Sequence, residues 1–473
     1  MKLHSSYTNE LEEFKPLVEN KVSMYVCGPT VYDYAHLGHA RCYVTWDVLY
    51  RYLRFKGFDV TYCRNVTDVD DKILKKAEAE GKTPEEVSQH WYKVFDESMK
   101  ALNTLKPDIE PFATKTIGEM IAMIKELINK GYAYEVGGNV YFRVRKFPEY
   151  GKLSGQPIEA LESGVRVDTS DEKEDPLDFA LWKKDEKHGY PSPWGRGKCN
   201  GKTDECNEQG GRGRPGWHIE CSAMSRKHLG KTIDIHAGGA DLVFPHHENE
   251  IAQSEAANQA KFVNYWLHNG FVTINKEKMS KSLGNFFTID VLLKKYDANT
   301  IRFFILTNHY RMPVEFSDEA LDAAQNGVKR LMNAKRTPVD DDFDITQTPE
   351  YREFVEAMDE DMNTAKALAV LFDLTNKANK DEPHAFTVLY KLATTLGFTF
   401  DRPQVSQAKI DETLKQVQGG IGVEFNSMEE IIALRKKARE DKDWELADKI
   451  RIALDEAGIL LKDTKEGTTW EIK

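Results

Sequence analysis

The order of a strand, a helix and a second strand near the start of the chain most constrains the fold. Residues 21–27 (KVSMYVC) form a short apolar run that ends at the turn signal Gly28-Pro29-Thr30. Residues 38–55 carry apolar side chains at helical spacing, and residues 60–66 (VTYCRNV) are again typical of a strand. Two strands joined through a helix by short connections pair in parallel, so the sequence predicts an α/β fold.

Changes of composition divide the rest of the chain. The α/β pattern is interrupted by a charged, Pro- and Gly-rich insertion, which contains a predicted hairpin with Gly137-Gly138 at its turn and a predicted loop over residues 195–216. The last segment has a predicted amphipathic helix over residues 429–457 and a short extended tail. The predicted segments are residues 1–117 and 213–262 (α/β), 118–212 (insertion), 263–335 (mixed), 336–402 (helical) and 403–473 (C-terminal).

Charge and cysteine content narrow the class of protein. The 77 acidic and 65 basic side chains give a net charge of −12, which excludes a polybasic nucleic-acid coat protein but permits a local basic groove. Six cysteines are too few for a disulfide scaffold, so we expect a reduced, cytoplasmic compartment. The chain lacks a long apolar run and an apolar stretch at its start, so we expect no membrane span and no secretory signal.

The motif His36-Leu37-Gly38-His39 follows the first predicted strand and begins the first helix. In an α/β sheet phosphates bind at this place, because the carboxyl end of a strand faces a helix N-terminus. The glycine lets a ligand approach the backbone, and the imidazoles can donate hydrogen bonds to phosphate. Taken alone, the motif is more simply explained by two surface histidines.

A basic motif, Lys278-Met279-Ser280-Lys281-Ser282, follows a short predicted strand (NGFVTI). Its two ammonium groups could stabilise the negative charge that develops on a triphosphate during reaction. A solvated basic loop is the alternative explanation.

Four separated residues form a candidate metal site: Cys27, Cys221, His246 and Glu250. His246 and Glu250 are four residues apart, on one face of a predicted helix. Two thiolates, an imidazole and a carboxylate suit tetrahedral Zn²⁺. The Cys-x2-Cys spacing is absent, so buried inert cysteines are the favoured interpretation of the residues alone. His247 is the obvious competitor of His246.

Together the two signatures resemble those of the class I aminoacyl-tRNA synthetases: HLGH is similar to their HIGH element, and KMSKS matches their second signature. Longer stretches look like the cysteinyl-tRNA synthetase family, and the similarity runs over nearly the whole chain. These stretches are residues 24–41, 65–73, 213–225, 234–256 and 357–374.

The resemblance implies a Rossmann-type catalytic domain split by a connective insertion, then a KMSKS segment that contacts the tRNA stem, a helical bundle and a small C-terminal anticodon-binding domain. It implies an ATP-dependent ligase that forms cysteinyl-adenylate and passes the cysteinyl group to tRNA(Cys). Mg²⁺ would accompany ATP. The expected partners are tRNA(Cys), L-cysteine and ATP, bound by a monomer.

The resemblance also assigns roles to single residues. The triphosphate would be held by His36, His39 and Lys281. Gly38 would belong to the same ATP site, and Lys278 would be a further catalytic residue. Asp241 would bind the ATP ribose, and Thr67 would hydrogen-bond the amino group of the substrate. Trp217 would wall the cysteine pocket, with His236 beside the substrate. Without the resemblance, Thr67 is explained as a helix N-cap and Trp217 as core packing.

In the family, the positions of Cys27, Cys221, His246 and Glu250 bind one Zn²⁺ per chain, with His246 favoured over His247. A substrate thiolate can join zinc directly, whereas a serine hydroxyl is a far poorer ligand. Such a contact discriminates between the two amino acids more strongly than shape does. A proofreading domain is therefore not required.

The composition of the C-terminal segment permits two interpretations. Residues 435–451 combine basic side chains with a tryptophan, which suits single-stranded RNA, although a solvated helix face has the same composition. The resemblance places anticodon binding here. The candidate residues are Arg439, Trp444, Asp448, Asp463 and Trp470.

One stretch departs from the family pattern. About sixteen extra residues precede Gly213 and contain Cys199 and Cys206, and we expect a mobile surface loop there. Two alternatives to the tRNA ligase stay open at this point. One is a ligase that joins cysteine to an amino sugar, and the other is a non-catalytic RNA-binding relative.

Overall fold

The strand–helix–strand unit predicted from the sequence is present in the computed structural model. Strands β3 and β4 are parallel, with Val22 opposite Val60, and the ends of all three elements fall within two residues of their predicted positions. A short antiparallel hairpin precedes them. The elements are β1 (Lys2–Ser5), β2 (Glu10–Glu13), β3 (Lys21–Val26), α1 (Leu37–Phe55) and β4 (Asp59–Arg64).

The structure describes residues 1–158, 172–195, 211–275, 277–279, 286–400, 427–456, 459–464 and 467–472. Two compact units are present, Met1–Thr399 and Phe400–Lys473.

The insertion forms an antiparallel sheet with strand order β5-β6-β7-β9-β8. Helices α2 (Asp71–Glu80), α3 (Pro84–Ala101) and α4 (Ile117–Asn129) precede the strands β5 (Ala133–Val136), β6 (Asn139–Phe142), β7 (Phe179–Lys184), β8 (Tyr190–Pro191) and β9 (Arg212–Pro215). The predicted hairpin at Gly137-Gly138 is confirmed. The expectation that residues 195–216 are mostly loop is wrong at their C-terminal end, because β9 pairs there with β7 and β8.

The second half of the α/β pattern completes the parallel sheet. It contains α5 (Trp217–Leu229), β10 (Ile233–Gly239), α6 (Glu248–Asn258) and β11 (Val263–Asn269). The strand order is β11-β10-β3-β4, all parallel. Strand β10 therefore lies beside β3, and residues that follow both strands meet at one edge of the sheet. Buried Tyr25, Ile233 and Trp266 belong to the core beneath that edge.

A small sheet and a group of helices follow. Strand β12 pairs in parallel with β14 and antiparallel with β13. The elements are β12 (Val272–Ile274), β13 (Glu277–Lys278), α7 (Ile289–Lys295), α8 (Ala298–Leu306), β14 (Val314–Glu315), α9 (Asp318–Met332), α10 (Pro349–Asp359), α11 (Thr364–Ala378) and α12 (Ala385–Thr395).

Arg41 attaches α1 to the start of this region. Its guanidinium is buried and donates hydrogen bonds to the backbone carbonyls of Ile305, His309, Tyr310 and Met312. These carbonyls lie at the end of α8 and just before β14. The helix that begins with the HLGH motif is thereby joined to the sheet that carries the start of the KMSKS motif.

The second unit contains α13 (Met428–Glu440), α14 (Trp444–Glu456) and a hairpin of β15 (Ile459–Thr464) and β16 (Gly467–Ile472). The prediction of one helix over residues 429–457 is wrong. The chain turns at Lys442, whose φ is 62°, so that α14 packs back on α13. Ile431, Ile450 and Leu454 are fully buried between these elements. A continuous helix would have left that apolar surface in water.

No helix in the described parts of the chain has the length and apolar character needed to cross a lipid bilayer.

Candidate active site

The two signature motifs meet at the N-terminus of α1. His36 caps this helix, since its Nδ1 accepts from the Gly38 amide at 3.1 Å, and the His36 amide donates to His39 Nδ1 at 3.1 Å. The two rings stack with centroids 3.9 Å apart. A Cβ at Gly38 would lie 3.0 Å from the His36 ring, so this glycine leaves room for the capping imidazole, and the terminal methyl of Met279 lies near the same position.

Of the two lysines in the second motif, Lys278 is among the described residues and Lys281 is not. Lys278 is exposed on β13, with its Nζ 4.2 Å from the centre of the Phe271 ring. Lys281 lies outside the described residues, together with both serines of the motif. After the motif, the Phe287 carbonyl accepts a hydrogen bond from the Leu37 amide at 2.9 Å. Met279 of the motif and Phe287 after it therefore both lie against the start of α1.

The four candidate metal ligands come together from separate elements. Their ligand atoms all lie within 4.8 Å of one another, and all four residues are buried. Cys27 follows β3, Cys221 is on α5 and Glu250 is on α6. The Sγ atoms of Cys27 and Cys221 are 3.7 Å apart, and Glu250 Oε1 lies 3.4 Å from Cys27 Sγ and 3.0 Å from His246 Nε2. Two thiols, an imidazole and a carboxylate fit a tetrahedral zinc ion.

His246 does not lie on a regular helix. The expectation that His246 and Glu250 share one face of a helix is therefore wrong. Residues Val243–His247 form a wider turn with a cis Phe244-Pro245 bond, and α6 begins at Glu248. The turn nevertheless leaves the His246 ring against the Glu250 carboxylate.

Mutual contacts govern the protonation of these groups. Burial opposes the charged form of Glu250, but the nearby rings of His236 and His246 outweigh it and lower its pKa to about 2. Burial also raises the pKa of Cys221, but hydrogen bonds with Cys27 and His246 overcome this and lower it to about 6. Burial and the neighbouring Cys221 raise the pKa of Cys27. One thiol of the pair is thus favoured as a thiolate.

A second set of potential ligands overlaps the first. Cys27, His236, His247 and Glu250 also have ligand atoms within 4.8 Å of one another. His247 Nε2 lies 3.3 Å from Cys27 Sγ, and His236 Nε2 lies 2.9 Å from Glu250 Oε2. The competition between His246 and His247 that the sequence left open is therefore also present in the geometry.

The residues expected around the amino acid surround the metal candidates. Trp217 is 40% exposed, and its ring lies 4.1 Å from that of His246. Core packing is therefore the wrong explanation of Trp217. Thr67 is not a helix N-cap, since Asp70 caps α2. His236 is fully buried, and Asp241 is exposed just after β10.

Glu220 is a residue that the sequence analysis missed. It is 1% exposed, and its Oε2 accepts a hydrogen bond from Thr67 Oγ1 at 2.7 Å. Burial raises its pKa, and the neighbouring Cys221 and Asp68 add to the effect. The sequence did offer a signal for Glu220, because it is the chain neighbour of the candidate ligand Cys221. A glutamate at such a position is expected to be buried only if it has a polar partner.

The candidate anticodon residues are spread over the second unit. Trp444 is 60% exposed at the start of α14. Asp448 accepts a hydrogen bond from Arg451 Nε at 3.3 Å, and Arg439 lies in the last turn of α13. Asp463 and Trp470 lie on β15 and β16. Cys199 and Cys206 of the extra stretch lie outside the described residues.

Comparisons with known proteins agree with this arrangement. Residues 13–326 match the family described as tRNA synthetases class I (C) catalytic domain, and residues 353–383 match the DALR domain. Among solved structures, the methionyl-tRNA synthetase of Mycobacterium tuberculosis in complex with methionyl-adenylate has a TM-score of 0.53 at 15% identity. The similarity covers 80% of this chain and 89% of that one, and it shows a shared fold.

Fold and catalytic-domain match together define a class I tRNA synthetase. Two proteins named cysteine–tRNA ligase, from Francisella philomiragia subsp. philomiragia and from Francisella tularensis subsp. novicida, are each 47% identical to this chain. Both matches cover all of this chain and all of the relative. The chain belongs to the cysteine–tRNA ligase family.

Proposed function

We propose that this chain joins L-cysteine to tRNA(Cys) at the expense of ATP, through a cysteinyl-adenylate. The observation that carries the proposal is the convergence of two thiols, an imidazole and a carboxylate. This cluster lies beside the HLGH helix, since the Tyr43 hydroxyl of α1 donates to the Cys27 carbonyl at 3.3 Å. A Zn²⁺ ion held by this donor set would accept a thiolate as a further ligand, and cysteine is the amino acid whose side chain offers a thiolate. Full-length similarity to cysteine–tRNA ligases supports the same substrate pair and includes the C-terminal segment that an amino-sugar ligase would lack.

Cys27, Cys221, His246 and Glu250 would hold one Zn²⁺. When bound, zinc would supply a Lewis-acid position for the substrate thiolate and so distinguish cysteine from serine. The protein holds these ligands ready without disulfide formation, since the Cys27 and Cys221 sulfurs are 3.7 Å apart. Buried Glu250 balances part of the positive charge.

ATP would bind at the carboxyl edge of the parallel sheet. His36, Gly38 and His39 would face its phosphates at the N-terminus of α1, where backbone amides and the helix dipole favour negative charge. Lys281 and Lys278 would add positive charge from the KMSKS segment, and Mg²⁺ would accompany the nucleotide. Asp241 would bind the ribose hydroxyls, as its exposed position just after β10 allows.

The first step would be attack of the cysteine carboxylate on the α-phosphate of ATP, with release of pyrophosphate. In the second step, a hydroxyl of the terminal ribose of tRNA attacks the adenylate carbonyl, and AMP leaves. The side chains of this site position the reactants and stabilise charge, with no covalent enzyme intermediate.

Thr67 would accept a hydrogen bond from the amino group of the substrate. Its hydroxyl donates to Glu220 and accepts from Asn65 Nδ2 at 3.3 Å, which uses its proton and one lone pair. The remaining lone pair can accept a hydrogen bond from an ammonium group. The acceptor oxygens of Glu220 and Asp68 lie in the same part of the chain's fold, and a bound ammonium group would favour their charged forms.

The second unit would bind the anticodon, with Trp444 as an exposed ring for stacking. The low cysteine content supports a cytoplasmic location, and we propose that the protein acts as a monomer.

Cysteine-dependent exchange between ATP and pyrophosphate, measured with and without tRNA, tests this function. We expect exchange with cysteine alone, little exchange with serine, and charging once tRNA(Cys) is added. Serine serves as the matched substrate because it differs from cysteine only at the group that would reach zinc. Equal exchange with serine, or none with cysteine, would contradict the proposal.

A further inference from the structure

A row of hydrogen bonds connects Cys27 to the N-terminal hairpin. Cys27 Sγ lies 3.3 Å from His247 Nε2, and His247 Nδ1 lies 2.7 Å from His268 Nε2. His268 Nδ1 lies 2.8 Å from Ser6 Oγ. The two rings and the thiol are at most 7% exposed. In this row, Ser6 follows β1 and Cys27 follows β3, while His247 ends the turn before α6 and His268 lies on β11.

A glycine makes room for this row. A Cβ at Gly238 would lie 2.9 Å from His247 Cε1, closer than side-chain carbons approach one another. Gly238 lies on β10, in the strand beside the one that leads to Cys27. The backbone is thus shaped around the position of the His247 ring.

Proton positions in the row follow from the state of Cys27. A metal-bound thiolate has no proton to donate, so His247 must carry its proton on Nε2. In a neutral ring its Nδ1 is then an acceptor, which His268 satisfies from Nε2–H. His268 Nδ1 in turn accepts from the Ser6 hydroxyl.

We infer that His247 and His268 are positioning residues for the metal site, with His247 donating a hydrogen bond from Nε2 to the Cys27 thiolate. The inference rests on the proposed function, in which Cys27 binds zinc. Partners of this kind orient a ligand and tune its basicity, and their removal typically costs about 10- to 100-fold in metal affinity. His247 thus acts through Cys27, while His246 acts on the metal.

The competing ligand set, in which His247 binds the metal, requires the opposite tautomers of His247 and His268. If His247 Nε2 bound the metal, its proton would be on Nδ1 and would be donated to His268. His268 would then donate from Nδ1 to Ser6. The direction of the whole row therefore distinguishes a positioning histidine from a liganding one.

Zinc affinity of the purified holoenzyme, measured by competition with a chelator, tests the inference. His247→Leu should lower the affinity by about 10- to 100-fold. His247→Gln should recover most of it, because the amide nitrogen can donate to Cys27 and the amide oxygen can accept from His268. His228→Leu is the matched control for loss of an imidazole, since His228 is on α5 but outside the row, and it should bind zinc like the parent.

Nitrogen-15 NMR of histidine tautomers in the zinc-loaded parent protein gives a second readout that needs no variant. We expect Nε2–H on both His247 and His268. An Nδ1–H tautomer on His247, or zinc binding by His247→Leu as tight as in the parent, would overturn the inference. A parent protein that binds no zinc would instead refute the proposed function, so the two failures are distinguishable.

Discussion

Cys221 illustrates how neighbours determine the chemistry of one side chain. Burial by itself would keep its thiol protonated, yet hydrogen bonds with Cys27 and His246 lower its pKa to about 6. A thiolate is the form that binds a metal. Replacement of Cys221 would therefore remove both a proposed zinc ligand and its hydrogen bonds with Cys27 and His246.

Cys221→Ser should therefore lose bound zinc and adenylate formation together. A hydroxyl is a much poorer ligand for zinc than a thiolate. Zinc content by elemental analysis and the rate of cysteine-dependent pyrophosphate exchange are the measurements. Cys63→Ser is the matched control, because Cys63 is also fully buried but belongs to neither ligand set. Full zinc content and normal exchange in the Cys221 variant would remove this residue from the site.

A second prediction concerns the lysines of the KMSKS motif. Lys281→Ala should slow adenylate formation by roughly 100- to 1,000-fold, because loss of one charge contact made in the transition state costs about 2.7–4 kcal/mol. Zinc content and cysteine binding should stay near those of the parent. The comparison variant is Lys278→Ala, and exchange assays under saturating ATP measure both. Should exchange be unaltered in Lys281→Ala and slow in Lys278→Ala, the role belongs to Lys278.

Among the elements, β9 changes the interpretation of the extra stretch. Gly211 donates a backbone hydrogen bond to the Trp194 carbonyl at 2.8 Å, and its own carbonyl accepts from the Ser192 amide at 2.9 Å. The two ends of the stretch are therefore joined where it leaves and re-enters the insertion sheet. Because Arg212 belongs to β9, an excision that spares this strand must stop before it, at residue 210.

Excision of residues 197–210 should leave pyrophosphate exchange within a few fold of the parent. The remaining ends already lie side by side, so a short Gly-Ser connection can close the gap without moving β9. Exchange rate, zinc content and thermal unfolding are the measurements, with deletion of residues 197–215, which removes β9, as the disruptive comparison. Loss of zinc in the shorter deletion would show that Cys199 and Cys206 bind metal.

On the scale of the whole molecule, the residues proposed to bind ATP, cysteine and zinc lie in Met1–Thr399, and the candidate anticodon residues lie in Phe400–Lys473. The second unit has its own core, which includes Ile431 and Leu454. This separation predicts that activation and tRNA recognition depend on different units.

A chain that stops after Asp401 should keep most of its pyrophosphate exchange and lose tRNA charging by a large factor in kcat/KM. Binding energy from the anticodon positions the distant acceptor end, so the defect should appear mainly in tRNA affinity. It should worsen with added salt, since fewer phosphate contacts remain. Charging by the shortened chain that equals that of the full chain would contradict the anticodon assignment.

The sequence by itself determined the local elements and the two signatures. Apolar spacing is a property of neighbouring residues, so β3, α1 and β4 could be predicted to within two residues, and HLGH could be placed at a helix start. The class of enzyme followed from the same short motifs. The break at Lys442 was missed because the helices on either side of it pack into a core together with β15. The periodicity of one segment carries no information about packing against another segment.

Only the tertiary structure decided how the site is assembled. Placing β10 beside β3 brings Cys27 to Cys221 across 194 positions of the chain, and Thr67 to Glu220 across 153. His246 and His247 are adjacent in the sequence and identical in type, so no local pattern separates them. The roles proposed for them depend on what each ring faces, which is Glu250 for His246 and the row from Cys27 to Ser6 for His247. Such contacts arise from packing between distant segments, and spacing along the chain does not encode them.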